Sequence, residues 1–341
     1  MSGSTPVVVI AFNRPELTAR LVDALRKVQP ERLFVVADGP RPDRPDDARL
    51  TGAVRRLFDE LDWPARVERR FADGNLGCEA TVELGLDWVF GQVDRAIVLE
   101  DDCIPDPSFF DYCDELLERY AGDPRVWQIA GNSHEVPPVR FGGDSYAFSS
   151  WASVWGWATW ADRWQRHREL FPRDHAVRPA APVRTEAPRI PPGALVTRGG
   201  RRHFAEAATS TDVVTHGWDK HWWISIIGAG GLAATPAVNL VENAGFGADA
   251  THGVSDRTTE PARPMTFPLR HPAAVALNAD VERELELLLN RVGGPAARIA
   301  RRLVRSPKLR RLLRGAVNSR LAVAAARTLS RATSRWIGKP R

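Results

Sequence analysis

The chain has 341 residues, 43% of them hydrophobic, and a formal charge of +5 that hides an asymmetry: residues 293–341 hold 12 Arg and 2 Lys with no Asp or Glu, a local +14, which leaves −9 on the remainder. That length suffices for one large α/β domain or two ordinary ones. No apolar run reaches the ~18 residues that a spanning helix needs. The apolar start at residues 7–11 is too short for a signal peptide and lacks its basic flank, and Cys78, Cys103 and Cys113 are an odd number without metal-type spacing, so a reducing, cytoplasmic setting is expected.

Taken in order, residues 6–12 read as a buried strand and Asn13-Arg14-Pro15 turns into a helix over 15–28, with Pro suited to the first turn. A second strand is expected at 33–37, ending in Asp38-Gly39-Pro40, then a helix within 46–61 and a strand at 66–71. Asp73-Gly74-Asn75-Leu76-Gly77 forms a turn that opens a helix over 78–90. Residues 96–102 are the centre of the pattern: four apolar residues run directly into Glu100, Asp101 and Asp102, and a helix follows over 108–120 with Ser108 as its cap. Strands alternating with helices imply a mostly parallel, right-handed wound sheet.

After the strand at 126–130 the alternation stops. Residues 146–160 are rich in aromatic and small residues, and the Pro-rich stretch 172–200 lacks periodicity, as expected of a loop or lid. A helix opens within 216–223, residues 232–241 suggest a hairpin-like strand pair, 245–253 form a loop, and 281–292 form a helix with Val281, Leu285, Leu288, Leu289 and Val292 on its apolar face. The 12 Trp, most of them between Trp151 and Trp223, suit either a surface for ring-bearing ligands or a core of large side chains. In the tail, Ile299, Leu303, Leu309, Leu312, Leu313 and Val317 recur at helical spacing among Arg residues, divided by Pro307; such a basic amphipathic helix suits an anionic membrane surface, or packing on the acidic body.

Three adjacent carboxylates at the end of a buried strand repel one another unless a cation compensates them, and hard divalent ions prefer carboxylate and phosphate oxygens. Ligands of open α/β sheets bind outside the carboxyl ends of the strands, where Asn13-Arg14, Asp38-Gly39 and the acidic triplet converge. A metal-bound diphosphate is the ligand this pattern implies.

The order of features resembles the GT-A nucleotide-sugar glycosyltransferases, and among them the N-acetylglucosaminyltransferase I family and its bacterial relatives. The matching residues are Pro6 to Arg14, Glu100-Asp101-Asp102, Pro107 to Phe110 with Tyr112, Gly156-Trp157, Trp218-Asp219, Gly245-Phe246-Gly247 and Thr251-His252-Gly253. The resemblance implies a GT-A-like, Rossmann-like α/β fold. It further implies that Asp102 binds Mn²⁺ (or Mg²⁺), that Glu100 and Asp101 bind the ribose and sugar side of the donor, and that Arg14 and Asp38 contact the nucleotide. Asp219 falls on the catalytic base. Asn75 shapes the donor pocket, and His252 is a candidate second metal contact. The family's histidine in the helix before the acidic strand has no counterpart near Gly85.

The chain is therefore expected to comprise a nucleotide-sugar-binding half (1–130), an acceptor-side half (131–270) that includes the 172–200 loop, and a basic helical tail (271–341). The expected activity is metal-dependent inverting transfer of a sugar from a nucleotide-diphosphate donor, UDP-GlcNAc-like among the options, to a glycan or lipid-linked hydroxyl acceptor, with the enzyme held peripherally at the cytoplasmic face of the membrane. Two alternatives remain. A sugar nucleotidyltransferase usually has a Gly-rich loop after its first strand, which Ala11-Phe12-Asn13-Arg14 lacks; a non-catalytic nucleic-acid or membrane binder is poorly served by a tail whose one aromatic is Trp336, so no nucleic-acid partner is expected.

Overall fold

A computed structural model describes residues 5–171, 190, 194–209, 217–245 and 260–290. The expected 172–200 loop lies mostly outside the described residues, as do His252, the loop beyond Gly245, and the basic tail. Among the described residues, no helix is long and apolar enough to cross a membrane.

Among the described residues, ten strands and eight α-helices alternate through the first half and then interleave less regularly. In chain order they are β1 (Val7–Ala11), α1 (Pro15–Arg26), β2 (Arg32–Ala37), α2 (Asp47–Leu57), β3 (Arg66–Phe71), α3 (Cys78–Phe90), β4 (Arg95–Glu100), β5 (Cys103–Pro105), α4 (Ser108–Arg119), β6 (Val126–Ala130), β7 (Tyr146–Ser149), β8 (Trp157–Trp160), α5 (Ala161–Leu170), α6 (Arg198–Thr209), α7 (Trp218–Gly228), β9 (Leu232–Pro236), β10 (Val241–Asn243) and α8 (Ala279–Asn290). Eight strands form one sheet in the order β3-β2-β1-β4-β8-β6-β9-β7. Six share a direction, and β8 and β7 run against them. This is the mostly parallel, Rossmann-like sheet flanked by helices that the sequence led one to expect, consistent with a GT-A-like fold.

The central strands are apolar throughout because both sheet faces are covered. Along β1 the side chains alternate between two cores. Val7, Val9 and Ala11 pack with α1, α2 and α4, whereas Val8 and Ile10 pack with α3, α5 and α7. Edge strand β3 instead carries Arg66, Glu68, Arg69 and Arg70 at half-exposed or exposed positions, a charge pattern that blunts an open edge.

Two expectations for the second half are revised. Residues 232–241 do not form a hairpin: β9 enters the main sheet between β6 and β7, while β10 pairs antiparallel with β5 in a separate two-stranded sheet. Two short apolar strands close in sequence look like partners, but β5 offers an unpaired edge right after the acidic triplet, and β10 takes it. The aromatic stretch also contributes two full strands, β7 and β8. Nine of the 12 Trp are buried, so most of them are core residues.

Helix α8 is tied to the body through a buried carboxyl. Glu282 accepts the Ser150 N–H at 2.8 Å and bonds the Ser150 hydroxyl. Burial pushes its pKa up to about 7; the Ser150 bonds oppose this and Glu286 adds to it. The protonated form is thus the favoured one in the fold, so its stabilisation is complete below the unfolded value near 4.5 and is lost as pH rises through 7. A Glu282→Gln variant, which keeps one acceptor and one donor, should be more stable than the parent at pH 8 by on the order of 2–3 kcal/mol and equal to it near pH 4.5. Urea unfolding at the two pH values checks this.

Candidate active site

The pairing of β1 with β4 sets Ile10 opposite Glu100, so the residues that follow each strand meet at one edge of the sheet. Arg14 bridges two carboxylates there: Nη1 donates to Asp102 Oδ2 at 2.8 Å and Nη2 donates to Asp101 Oδ1. Asp101 is buried and also accepts the Phe12 N–H at 3.2 Å. Burial works against the Arg14 charge, but Asp101 and Asp102 outweigh it and hold the guanidinium ionised. Asp101 is itself pushed up to about 6, because burial outweighs the help from Arg14. Glu100 is also raised, first by burial and then by Asp102 and Asp101; Arg14 opposes the shift and Asp219 adds to it.

One guanidinium therefore faces three carboxylates, and the excess negative charge is what a hard divalent cation would neutralise. The segment after β10 covers the cluster closely. Ala244 N–H donates to the Asp102 carbonyl at 2.8 Å, and a Cβ on Gly245 would lie 2.1 Å from Asp102 Oδ2, so only glycine fits at that position. Gly245 is the last described residue before the stretch that contains His252.

Asp38, at the end of β2, is buried, and its carboxylate bonds within the chain. Its carboxylate accepts from Gly39 N (2.8 Å), Leu76 N (2.7 Å), Gly77 N (3.0 Å) and Asn75 Nδ2 (2.8 Å). Those four donors use the lone-pair sites of both oxygens. Asp38 and Asn75 thus lock the turn between β3 and α3 onto the end of β2. Gly39 permits that contact, since a Cβ there would come within 2.5 Å of the Gly74 backbone.

Asp219 is exposed in the first turn of α7 and close enough to Glu100 to act on it electrostatically. Its helix is fixed by a group that the sequence reading missed. Glu79 and Glu83 on α3 and His221 on α7 place one ligand atom each within 4.8 Å of one another, the one group of three among the described residues that could hold a metal ion. Glu100, Asp101 and Asp102 do not converge in this way. The group also has protein partners: His221 Nδ1 lies 3.6 Å from Glu79 Oε1, Gly217 N–H donates to Glu79 at 3.1 Å, and Arg168 from α5 donates to Glu83 at 2.6 Å. These bonds tie α3, α5 and α7 together beside Asp219. The i, i+4 spacing of Glu79 and Glu83 was readable as one helix face, whereas His221 reaches it only through packing.

No protein-family model and no curated protein matches the chain. Solved structures similar to it include a mannosyltransferase from Pyrobaculum calidifontis in complex with GDP-Man and Mn²⁺, at 15% identity and a TM-score of 0.34 over 52% of this chain and 49% of that one. The alignment thus spans about half of that enzyme's length. An inositol-1-phosphate CTP transferase from T. maritima aligns at 12% identity and a TM-score of 0.27 over 48% of this chain and 74% of that one. Mouse xyloside xylosyltransferase 1, in its apo form, aligns at 9% identity and a TM-score of 0.31 over 66% of this chain and 82% of that one. Likenesses at this level do not assign an activity.

If Asp38 holds the turn, Asp38→Asn should turn two of its four donors toward an amide nitrogen that cannot accept. The expected loss is roughly 2–4 kcal/mol for two stranded donors, read as a lower urea midpoint.

Proposed function

We propose that the chain is a metal-dependent inverting glycosyltransferase that moves a sugar from a nucleoside-diphosphate donor to a hydroxyl acceptor. The observation that carries this reading is the incompletely neutralised carboxylate cluster at the end of β4, with a separate exposed carboxylate, Asp219, near enough to act on Glu100 electrostatically. One set of groups suits a metal diphosphate, and the other suits proton removal.

Asp102 would hold the cation, which, when bound, supplies Lewis-acid stabilisation of the leaving diphosphate. Arg14 would hold Asp101 and Asp102 in place, and could reach a phosphate oxygen as the cation takes over part of their charge. Glu100, raised by its neighbours, would hold a hydrogen bond to a donor hydroxyl. Asp38 and Asn75 would act as positioning residues, shaping the loop that faces the nucleotide. Asp219 would accept the proton of the attacking hydroxyl, because an alcohol is a poor nucleophile until its proton has somewhere to go. The halves 1–130 and 131–270 then divide donor from acceptor duties, and the basic tail would hold the enzyme at an anionic membrane surface where a lipid-linked acceptor is presented.

A second reading, nucleotidyl transfer to a sugar phosphate, is favoured by Arg14, a basic residue just past the first strand and against the acidic cluster. Release of pyrophosphate from a nucleoside triphosphate and a sugar phosphate would identify it.

A thermal-shift panel of nucleotide sugars with and without Mn²⁺ tests the main reading, since ligand that binds only the folded state raises its stability. Asp102→Asn should abolish the Mn²⁺-dependent part of donor binding in calorimetry while leaving the unfolding midpoint close to the parent's. Asp219→Asn should leave donor affinity unchanged and lower turnover by on the order of 10²–10⁴-fold. Near-parental turnover in a product assay would place the base elsewhere.

A further inference from the structure

The carboxylate proposed to hold a divalent cation is already held by a cation of the chain itself. Asp102 Oδ2 accepts from Arg14 Nη1 at 2.8 Å, and the same guanidinium reaches Asp101 Oδ1 through Nη2. Both oxygens of Asp101 are engaged, since Oδ2 accepts the Phe12 N–H at 3.2 Å. The other Asp102 oxygen, Oδ1, lies 3.7 Å from the sulfur of buried Cys103. Backbone closes on the pair from a further side: a Cβ on Gly245 would come 2.1 Å from Asp102 Oδ2 and 3.2 Å from Arg14 Nη1. That backbone is pinned, with Ala244 N–H donating to the Asp102 carbonyl at 2.8 Å and Gly245 N–H to Asn243 Oδ1 at 2.9 Å. Two cations on one carboxylate oxygen repel each other, and the repulsion is stronger where solvent is partly excluded. A metal ion therefore takes Asp102 Oδ2 in place of the guanidinium, not beside it.

Arg14 is anchored at its base and open at its tip. Its carbonyl accepts from the Thr18 N–H at 2.9 Å and from the Thr18 hydroxyl at 2.8 Å, and Pro15 begins α1 directly after it. The backbone is thus fixed, whereas the long side chain keeps 22% of its surface exposed, so an anion arriving from solvent can meet the guanidinium. A planar guanidinium pairs with phosphate as well as with carboxylate oxygens. A diphosphate offers what a bare metal ion does not: a new partner for Arg14, together with further oxygens for the metal.

We infer that Arg14 is a resident counter-ion that occupies the metal's place on Asp102 in the free protein and yields it only when a diphosphate takes over the guanidinium, so that metal ion and diphosphate enter together. This rests on the transferase reading above and adds to it the residue that couples the two ligands. Such coupling is reciprocal: the diphosphate tightens metal binding by the same factor as the metal tightens diphosphate binding. Chelation of the metal by the diphosphate supplies part of that factor in any protein. Arg14's share is the part that disappears with the guanidinium.

The test titrates the full chain with Mn²⁺, read as loss of the free-ion EPR signal, with and without UDP or GDP, and with inorganic pyrophosphate as a probe that carries no nucleoside. The parent should bind Mn²⁺ alone weakly and tighten when a diphosphate is added. Arg14→Gln should bind Mn²⁺ alone roughly tenfold or more tightly than the parent, and its coupling factor should shrink accordingly. Arg14→Lys keeps the charge and should bind Mn²⁺ alone as weakly as the parent. Adding Asp102→Asn to Arg14→Gln should cancel the gain, which separates this site from the Glu79, Glu83 and His221 group. Should Arg14→Gln fail to fold, nitrogen NMR of the parent decides: the Arg14 Nε–H resonance should stay in place with Mg²⁺ alone and move when Mg²⁺ and a diphosphate are added together. The inference is overturned if the parent binds Mn²⁺ alone as tightly as with diphosphate, if folded Arg14→Gln shows no gain, if the gain survives Asp102→Asn, or if Mg²⁺ alone moves the Nε–H resonance. A gain that depends on Asp102, in a protein that couples Mn²⁺ to pyrophosphate but binds no nucleotide, would keep the inference and remove the transferase reading.

Discussion

Arg14 bridging Asp101 and Asp102 is the interaction on which the site depends. Buried carboxylates are costly unless paired, and removing one partner of such a pair leaves the other charge uncompensated. The guanidinium reaches both because β1 and β4 are adjacent and in register, with the Asp101 N–H continuing the ladder onto the Ile10 carbonyl at 3.0 Å. One cation, Arg14, serves the carboxylates of this edge, and Glu100 is raised first by burial and then by Asp102 and Asp101. A wholly neutralised cluster would have little attraction for a divalent ion.

Around that centre, neighbouring elements are tied by polar groups paired within the chain. Asp38 spends its carboxylate on four donors and so turns a loop into a rigid wall. The Glu79, Glu83, His221 and Arg168 network does the same for α3, α5 and α7, and Asp219 sits on the helix it anchors. Hydrogen-bonded polar networks stiffen the elements they join. Rigidity would matter to the proposed function, in which a base and a metal ligand on different elements have to keep their separation.

The aromatic residues divide by burial. Trp127, Trp157, Trp164 and Trp222 pack on one face of the sheet, and Trp151 stacks on Trp223 at 4.4 Å in a third cluster. These are core positions, where large rings fill the space between helices and sheet. Trp155, just before β8, is half-buried and packs against the first cluster.

How much was legible follows from the range of the forces involved. Continuous apolar runs at residues 7–11, 33–37 and 96–99 and the helical periodicity between them are local properties, so the parallel half and the acidic strand end could be read directly. That Arg14, Asp38 and the triplet share one edge followed from handedness and direction, which parallel crossovers largely dictate. The pairing of β10 with β5 could not be read, because strand pairing is decided by which edge is left open, and that depends on the whole sheet. The four-donor environment of Asp38 and the arrival of His221 at Glu79 and Glu83 were equally hidden. Each arises where segments far apart in the chain impose a geometry that neither would adopt alone. Sequence by itself therefore determined the layers, the strand direction and the carboxylates at the end of β4; tertiary structure decided which polar groups are spent on holding the fold, as Asp38 is on its four donors.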